Sequence, residues 1–151
     1  MEDKFHLALK TAFASEYAFY LKAQNFHWNV EGSNFPQYHE LFGKIYEEVG
    51  GIIDDFAENL RKSQTYAPAS FSKFSMLTQI DDENGVPDPG SMLAELYKDS
   101  ETMAGVFKAV YQLADQMGEY GLSNFFADRQ DAHRKHSWML RATLKDHGRA
   151  V

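Results

Sequence analysis

Two histidines and two carboxylates in the first half of the 151-residue sequence have the residue types and spacing of metal ligands. Asp54 and Glu58 are four residues apart, so on a helix they share one face and could clamp a cation with carboxylate oxygens. His27 and His39 lie on either side of Gly32, where a turn would let their imidazoles approach each other. Mixed imidazole and carboxylate ligands with room for water suit Fe(II) better than a closed structural zinc site.

The elements that must position these residues are helices. Apolar residues recur at steps of three and four in four long stretches of the sequence. This spacing predicts amphipathic helices, since residues three and four apart share one helical face. We place the four helices at about residues 4–29, 36–62, 91–117 and 122–144.

The two histidines flank a predicted hairpin, and a much longer connection follows the second helix. Gly32 ends the first helix, and Ser33 or Asn34 caps the second. The link over about residues 63–90 contains an apolar run, Phe71 to Ile80, which predicts a short helix packed outside the bundle. Four amphipathic helices with a long crossover between the second and third predict an all-α, ferritin-like four-helix bundle, a single domain formed by the whole chain.

Composition and charge limit the possible functions. The sequence has no cysteine, which excludes disulfides, thiolate metal sites and thiol catalysis. No apolar run approaches the ~18 residues needed to span a bilayer. The N-terminal residues lack the order of a signal peptide, so we expect a cytoplasmic protein. A net charge of −7 disfavours attraction to nucleic acid or an anionic membrane, whereas an acidic surface suits cations.

The predicted second helix carries an unusual stripe opposite its apolar face. Six residues fall on this stripe: His39, Gly43, Glu47, Gly50, Asp54 and Glu58. Each helical glycine costs ~1 kcal/mol against alanine, which makes sense where another backbone must come close. We therefore expect this face to meet its own copy across a two-fold axis, with Gly43 against the partner's Gly50 and Glu47 turned toward solvent.

One metal ion cannot be bound by all four candidate ligands of a single chain. His39 and Asp54 are 15 residues apart, which is about 22 Å along a helix. Either the chain holds two unrelated half-sites, or each site combines two histidines of one chain with two carboxylates of its two-fold mate. In the antiparallel arrangement above, His39 faces the partner's Asp54, as the second possibility requires.

The residues of this hypothesis resemble the signature of the Dps family. The first blocks are His27-Trp28-Asn29-Val30-x-Gly32-x-x-Phe35-x-x-x-His39-x-x-Phe42 and Asp54-x-x-Ala57-Glu58-x-x-Arg61. Further similarity lies in Tyr66-Ala67-Pro68, Asp128-Arg129-Gln130-Asp131-x-His133 and Trp138-Met139-Leu140-Arg141-Ala142. The resemblance covers nearly the whole chain.

The resemblance implies a hollow homododecamer that oxidises Fe(II), often with hydrogen peroxide and also with O₂, and stores Fe(III) as a mineral. By position, His27 and His39 would come from one subunit, and Asp54 and Glu58 from its mate, across a two-fold interface formed by the second helix. Trp28, next to a ligand, would take up stray oxidising equivalents.

The resemblance also bears on iron entry and on DNA. In this family acidic residues near the start of the fourth helix line pores on three-fold axes. The matching residues here are Glu119, Asn124 and Asp128. Asn124 stands where a carboxylate is expected, so the pore would be less negative. Some relatives bind DNA through a lysine-rich terminal tail; this chain shows none and is acidic, so we do not expect DNA binding near neutral pH.

Two other classes of protein fit the sequence less well. A ferritin or rubrerythrin-like enzyme would hold a di-iron site inside each bundle with Glu-x-x-His pairs, and no glutamate here has a histidine three residues later. His133 and His136, on the fourth helix without neighbouring acids, are expected to pack or to face solvent. A non-catalytic, structural or DNA-compacting cage would be favoured by broken ligands or a basic tail, and neither is present.

Overall fold

Four long helices and one short helix make up the protein. The computed structural model describes residues 2–145, and no strand occurs in that range. The helices are α1 (Lys4–Asn29), α2 (Phe35–Lys62), α3 (Phe71–Leu77), α4 (Pro89–Gln116) and α5 (Tyr120–Leu144). Four long helices with a short helix in the connection between the second and third were predicted, and this is confirmed. The C-terminal residues that bear on a basic tail lie outside the described range.

Local chemistry sets the helix boundaries. The side chain of Asp88 accepts a hydrogen bond from the backbone N–H of Ser91 at 2.9 Å, and Pro89 occupies the first turn. Because of these two features, α4 begins at Pro89, slightly before the position of about residue 91 that the apolar pattern predicted. Gly118, with a φ of 74°, adopts the left-handed conformation that ends the helix. Asn34 is at the N-cap position of α2, but its side chain makes no capping hydrogen bond.

Two helical hairpins form the bundle. α1 packs along α2, α4 packs along α5, and α1 also packs against α4. α2 and α4 therefore lie diagonally across the bundle. Aromatic rings fill the centre: Phe56 contacts Phe13 and Phe126 edge-on, with centroid distances of 5.1 Å and 5.7 Å. Each such buried ring contributes on the order of 2 kcal/mol from loss of apolar surface to water.

The short helix α3 covers the outside of α1. The ring of Phe74 stacks on Tyr17 with a centroid distance of 4.6 Å and lies 6.0 Å from Phe13. The backbone N–H of Gln79 donates a hydrogen bond of 2.9 Å to the Ser15 hydroxyl, which ties the end of this segment to α1. The predicted position outside the bundle is confirmed. Within the described range, no helix is both long and apolar enough to cross a membrane.

Candidate metal centre

The two predicted histidine ligands lie side by side where α1 ends and α2 begins. The imidazoles of His27 and His39 are stacked, with centroids 3.8 Å apart and planes inclined by 15°. Phe35 extends the stack 5.0 Å from His39, and Tyr46 lies 5.1 Å from His27. Both histidines are half-buried. The predicted approach of the two side chains across the turn is confirmed.

Reciprocal hydrogen bonds hold these two rings. Nδ1 of His27 lies 2.6 Å from the carbonyl oxygen of His39, and Nδ1 of His39 lies 2.6 Å from the carbonyl oxygen of His27. Because a carbonyl oxygen only accepts, each Nδ1 must carry a proton and donate it. In the neutral imidazole each Nε2 then has a lone pair available for a metal ion, with the carbonyl fixing tautomer and orientation.

Two glycines of α2 make room for side chains of α1. A Cβ atom at Gly43 would lie 2.9 Å from both Cε1 and Nδ1 of His27, and one at Gly50 would lie 2.9 Å from Cε1 of Tyr20. We expected these glycines to admit the backbone of a partner helix. Within one chain, the atoms that occupy this space belong to rings of α1, so the glycines are needed there in any case, and the contact with a partner helix stays a prediction.

The predicted carboxylates belong to an exposed acidic cluster in the second half of α2. Asp54, Asp55 and Glu58 each offer an oxygen within 4.8 Å of the other two, and no other trio of potential ligands meets that spacing in residues 2–145. The i, i+4 spacing brings Asp54 and Glu58 together as expected. Asp55 was not among the predicted ligands, although its i, i+3 spacing to Glu58 was a usable signal.

One chain thus carries the two candidate half-sites apart from each other, the histidines where α1 ends and α2 begins and the carboxylates in the second half of α2. The 15 residues from His39 to Asp54 correspond to about 22 Å of helix, a distance that no single ion can bridge. One half offers nitrogen lone pairs and the other offers carboxylate oxygens, and together they would form the mixed ligand set that suits ferrous iron. The halves can combine only if a second chain brings its acidic cluster to the histidines.

The remaining predicted residues lie at the surface. Trp28 exposes 61% of its area, and the rings of His39 and Tyr46 both contact the ring of His27. Glu47 is exposed in the single chain. Three further residues are exposed around the start of α5: Glu119, Asn124 and Asp128.

A second set of acids and histidines, absent from the sequence-based predictions, meets at the centre of the bundle. Nε2 of His133 lies 2.7 Å from Oε1 of Glu16, and Nε2 of His136 lies 2.8 Å from Oε1 of Glu48. Arg129 contacts both carboxylates. His133 and His136 do pack inside the protein, but the expectation that they lack acidic neighbours is wrong. Their partners come from α1 and α2, at least 88 residues away along the chain, where local spacing gives no signal.

Charge pairing keeps these carboxylates ionised. Burial by itself would raise the pKa of Glu48, but hydrogen bonds and charges from His136 and Arg129 lower it to about 2. Burial also acts to raise the pKa of Glu16, and His133 and Arg129 outweigh it and lower that pKa. Both glutamates are therefore negatively charged at neutral pH, inside a helical bundle.

The fold and its motifs agree with comparisons to known proteins. The family model for a ferritin-like domain matches residues 7–150. The DNA protection during starvation protein of Brevibacillus brevis is 29% identical over 126 residues, which cover 83% of this chain and 85% of that protein. The crystal structure of antigen TpF1 from Treponema pallidum is 31% identical with a TM-score of 0.89, covering 93% of this chain and 91% of that one.

A Dps protein from Vibrio cholerae O1 is similar to the same extent. Its TM-score is 0.89 at 28% identity, with 93% of this chain and 89% of that chain covered. That protein is described as a member of a broad superfamily of ferritin-like diiron-carboxylate proteins. The chain therefore belongs to the ferritin-like family and, within it, to the Dps proteins. Both the predicted ferritin-like bundle and the family resemblance are confirmed.

Proposed function

We propose that this protein is a mini-ferritin, which oxidises Fe(II) at sites shared by two chains and stores Fe(III) as a mineral inside a shell of twelve copies. The observation that carries the proposal is the division of ligands within one chain. Two histidines with available Nε2 lone pairs lie where α1 ends and α2 begins, and a carboxylate cluster lies in the second half of α2. An antiparallel two-fold pairing of α2 would complete two sites at once.

Iron is the substrate of the proposed site. His27 and His39 of one chain, with Asp54 and Glu58 of its mate, would bind ferrous ions and leave coordination positions for an oxidant. Two ferrous ions and two protons reduce one hydrogen peroxide to two waters and yield two ferric ions. Because two ferrous ions would deliver both electrons to the same peroxide molecule, no hydroxyl radical would be released. O₂ is the second oxidant of the proposal.

In this proposal, surface residues assist the entry of ferrous ions and protect against stray oxidising equivalents. Glu119 and Asp128 would attract ferrous ions to a pore between subunits, and the neutral Asn124 would weaken that attraction. Trp28, beside a ligand in the sequence and largely exposed, would be oxidised by stray oxidising equivalents in place of more distant targets.

A second candidate is a cage that shields or compacts DNA without oxidising iron. The name of the Brevibacillus brevis relative, DNA protection during starvation protein, favours it. The net charge of −7 opposes direct contact with phosphates. The rate of Fe(II) oxidation distinguishes the two candidate functions. A non-catalytic cage would not accelerate this oxidation, and its function would not depend on His39 or Asp54.

The test is Fe(II) oxidation by the purified protein, followed by absorbance in air and with anaerobic peroxide. Native mass is measured on the same sample. We expect oxidation well above that in buffer and a mass near that of twelve 17.3 kDa chains, about 208 kDa. His39→Ala and Asp54→Ala should each abolish the acceleration, while Asp82→Ala, at an exposed position between α3 and α4, should not. A monomer at micromolar concentration, or oxidation no faster than in buffer, would contradict the proposal.

A further inference from the structure

A guanidinium group occupies the centre of the bundle, between two carboxylates. Nη2 of Arg129 lies 2.9 Å from Oε2 of Glu16 and 3.0 Å from Oε1 of Glu48. Nε donates to the same oxygen of Glu16 at 3.2 Å, and Nη1 donates to Oε2 of Glu48 at 2.5 Å. Only 3% of the Arg129 surface is exposed. The proposed iron site between chains does not involve Arg129, so the buried guanidinium must have a different role.

The groups around Arg129 are those that bind divalent metal ions in helical bundles. Ferritin-like di-iron proteins project glutamates and histidines from several helices into the bundle core. Here Glu16 comes from α1, Glu48 from α2, and His133 and His136 from α5, each histidine with Nε2 on a carboxylate oxygen. Because Arg129, His133 and His136 follow at steps of four and three, all three share one face of α5.

We propose that Arg129 is a built-in cation that occupies a metal-binding position at the bundle centre and keeps that centre closed to divalent ions. The guanidinium takes the place an ion would take, in contact with an oxygen of each carboxylate. With the guanidinium between them, the potential metal ligands stay apart. In the described chain, no three of these ligand groups come within 4.8 Å of one another. Removal of the guanidinium would let the carboxylates close to the ~2.0–2.2 Å that metal–oxygen bonds require.

Charge and access agree with this assignment. Two neighbouring ionised carboxylates, one of them buried, need positive charge, which Arg129 supplies and a divalent ion would supply equally well. The Glu48 side chain is 36% exposed, whereas Glu16 is 1% exposed. An ion could therefore enter from the Glu48 side once the guanidinium is gone. The consequence for the whole molecule is that iron would be bound only at the interface between chains.

The experiment compares Arg129→Ala with the parent chain, both carrying Asp54→Ala and Glu58→Ala so that the proposed inter-subunit site cannot bind the probe. Co(II) is the probe, read by the thermal unfolding midpoint and by visible absorption. Arg129→Ala should unfold at a lower temperature without the ion, because two carboxylates lose their partner. At about 100 times its Kd, Co(II) should raise the midpoint by about 5 to 10 °C and give a ligand-field band.

Two control variants separate metal binding from general effects. Arg129→Lys keeps a positive charge and should exclude the ion. Arg129→Met with Glu16→Gln removes one charge of each sign and fills the space, so it should fold without Co(II) and gain nothing from it. Equal Co(II) responses in Arg129→Ala and the parent would overturn the proposal. So would an Arg129→Ala chain that stays unfolded with and without Co(II), since the ion could not then replace the guanidinium.

Discussion

The imidazole of His27 covers Gly43 so closely that an added Cβ would lie 2.9 Å from its Nδ1 and Cε1. Nδ1 is also the atom that donates to the carbonyl oxygen of His39. Contacts as short as 2.9 Å require the ring to move, and movement of the ring disturbs the hydrogen bond that selects its tautomer. The absence of a side chain at position 43 therefore determines where Nε2 of His27 points.

Gly43→Ala is predicted to impair iron oxidation without loss of the fold. Alanine favours the helix by ~1 kcal/mol over glycine, but its methyl group displaces the His27 ring. We expect at least a tenfold lower rate of Fe(II) oxidation with unchanged helical circular dichroism. Gly51→Ala is the matched control on the same helix, because nothing lies within 4 Å of its added Cβ. Equal rates in the two variants would show that the His27 contact is unimportant.

Local spacing was sufficient to predict the helices and the proximity of the side chains within each of the two candidate ligand pairs. The three- and four-residue steps of apolar side chains gave α1 and α2 close to their observed bounds. The turn at Gly32 brought His27 and His39 together because a short link forces the two helices to be antiparallel neighbours. Asp54 and Glu58 needed only the i, i+4 rule. Each of these relationships operates within one helix or across one short turn.

What the sequence did not reveal depends on contacts between helices distant along the chain. The role of Gly43 required the position of the His27 ring, which depends on how α1 and α2 pack. The bundle centre required Glu16 to meet Arg129 across 113 residues. The histidines at the bundle centre, His133 and His136, lie at i and i+3 on α5, and neither has a glutamate three residues before it. The Glu-x-x-His pattern therefore could not detect carboxylates that come from other helices.

The choice of carboxylate ligands can be tested within the acidic cluster. Asp54 and Asp55 are both exposed and both lie within 4.8 Å of a Glu58 oxygen. Successive residues of a helix point about 100° apart, so the two cannot face the partner's histidines equally. We expect Asp54→Asn to reduce the rate of Fe(II) oxidation at least tenfold and Asp55→Asn to reduce it less than twofold. The reverse order would assign the ligand role to Asp55.

Acid should weaken the link between α2 and α5 through Glu48. Its pKa is lowered from 4.5 to about 2 in the folded protein. Because this pKa is lower in the folded protein than in the unfolded chain, the Glu48 carboxylate stabilises the fold fully above pH 4.5. That stabilisation is lost as the pH falls toward 2. Glu48→Gln should therefore cost about 1 to 2 kcal/mol at pH 6, allowing for solvent screening of this partly exposed group, and much less at pH 3. Denaturant unfolding at both pH values measures the difference.

Glu40→Gln is the control for this titration. Glu40 pairs with Lys44 at 3.2 Å, but both side chains are about two-thirds exposed, at 68% and 65%. An exposed i, i+4 pair of this kind contributes little at any pH. A cost for Glu48→Gln that is the same at pH 3 and pH 6 would mean that the carboxylate charge does not stabilise the bundle.

DNA is predicted not to bind at neutral pH. Each chain carries a net charge of −7, so a shell of twelve would carry about −84 (12 × −7). Binding to phosphates depends on release of counterions by basic groups, which an acidic surface does not provide. A gel-shift with micromolar protein at ~100 mM salt and about pH 7.5 should leave plasmid mobility unchanged. A plasmid band whose mobility is reduced by the protein under these conditions would contradict this prediction.

The proposed division of the iron site between two chains predicts complementation. A chain with His27→Ala and His39→Ala lacks one half-site, and a chain with Asp54→Ala and Glu58→Ala lacks the other. Each should be inactive when assembled alone. In an interface that pairs one chain of each kind, one of the two sites has lost all four ligands and the other has kept all four.

Random pairing makes about half of the two-fold interfaces mixed, and each mixed interface restores one of its two sites. Roughly a quarter of the unmodified rate of Fe(II) oxidation should therefore return on co-assembly, provided that sites act independently. The control is a mixture of the two chains assembled separately, which should stay inactive. Native mass spectrometry establishes that the two kinds of chain share one shell. If such mixed shells show no recovery, the histidines and the carboxylates do not meet across the interface, because a site within one chain cannot be restored by a neighbour.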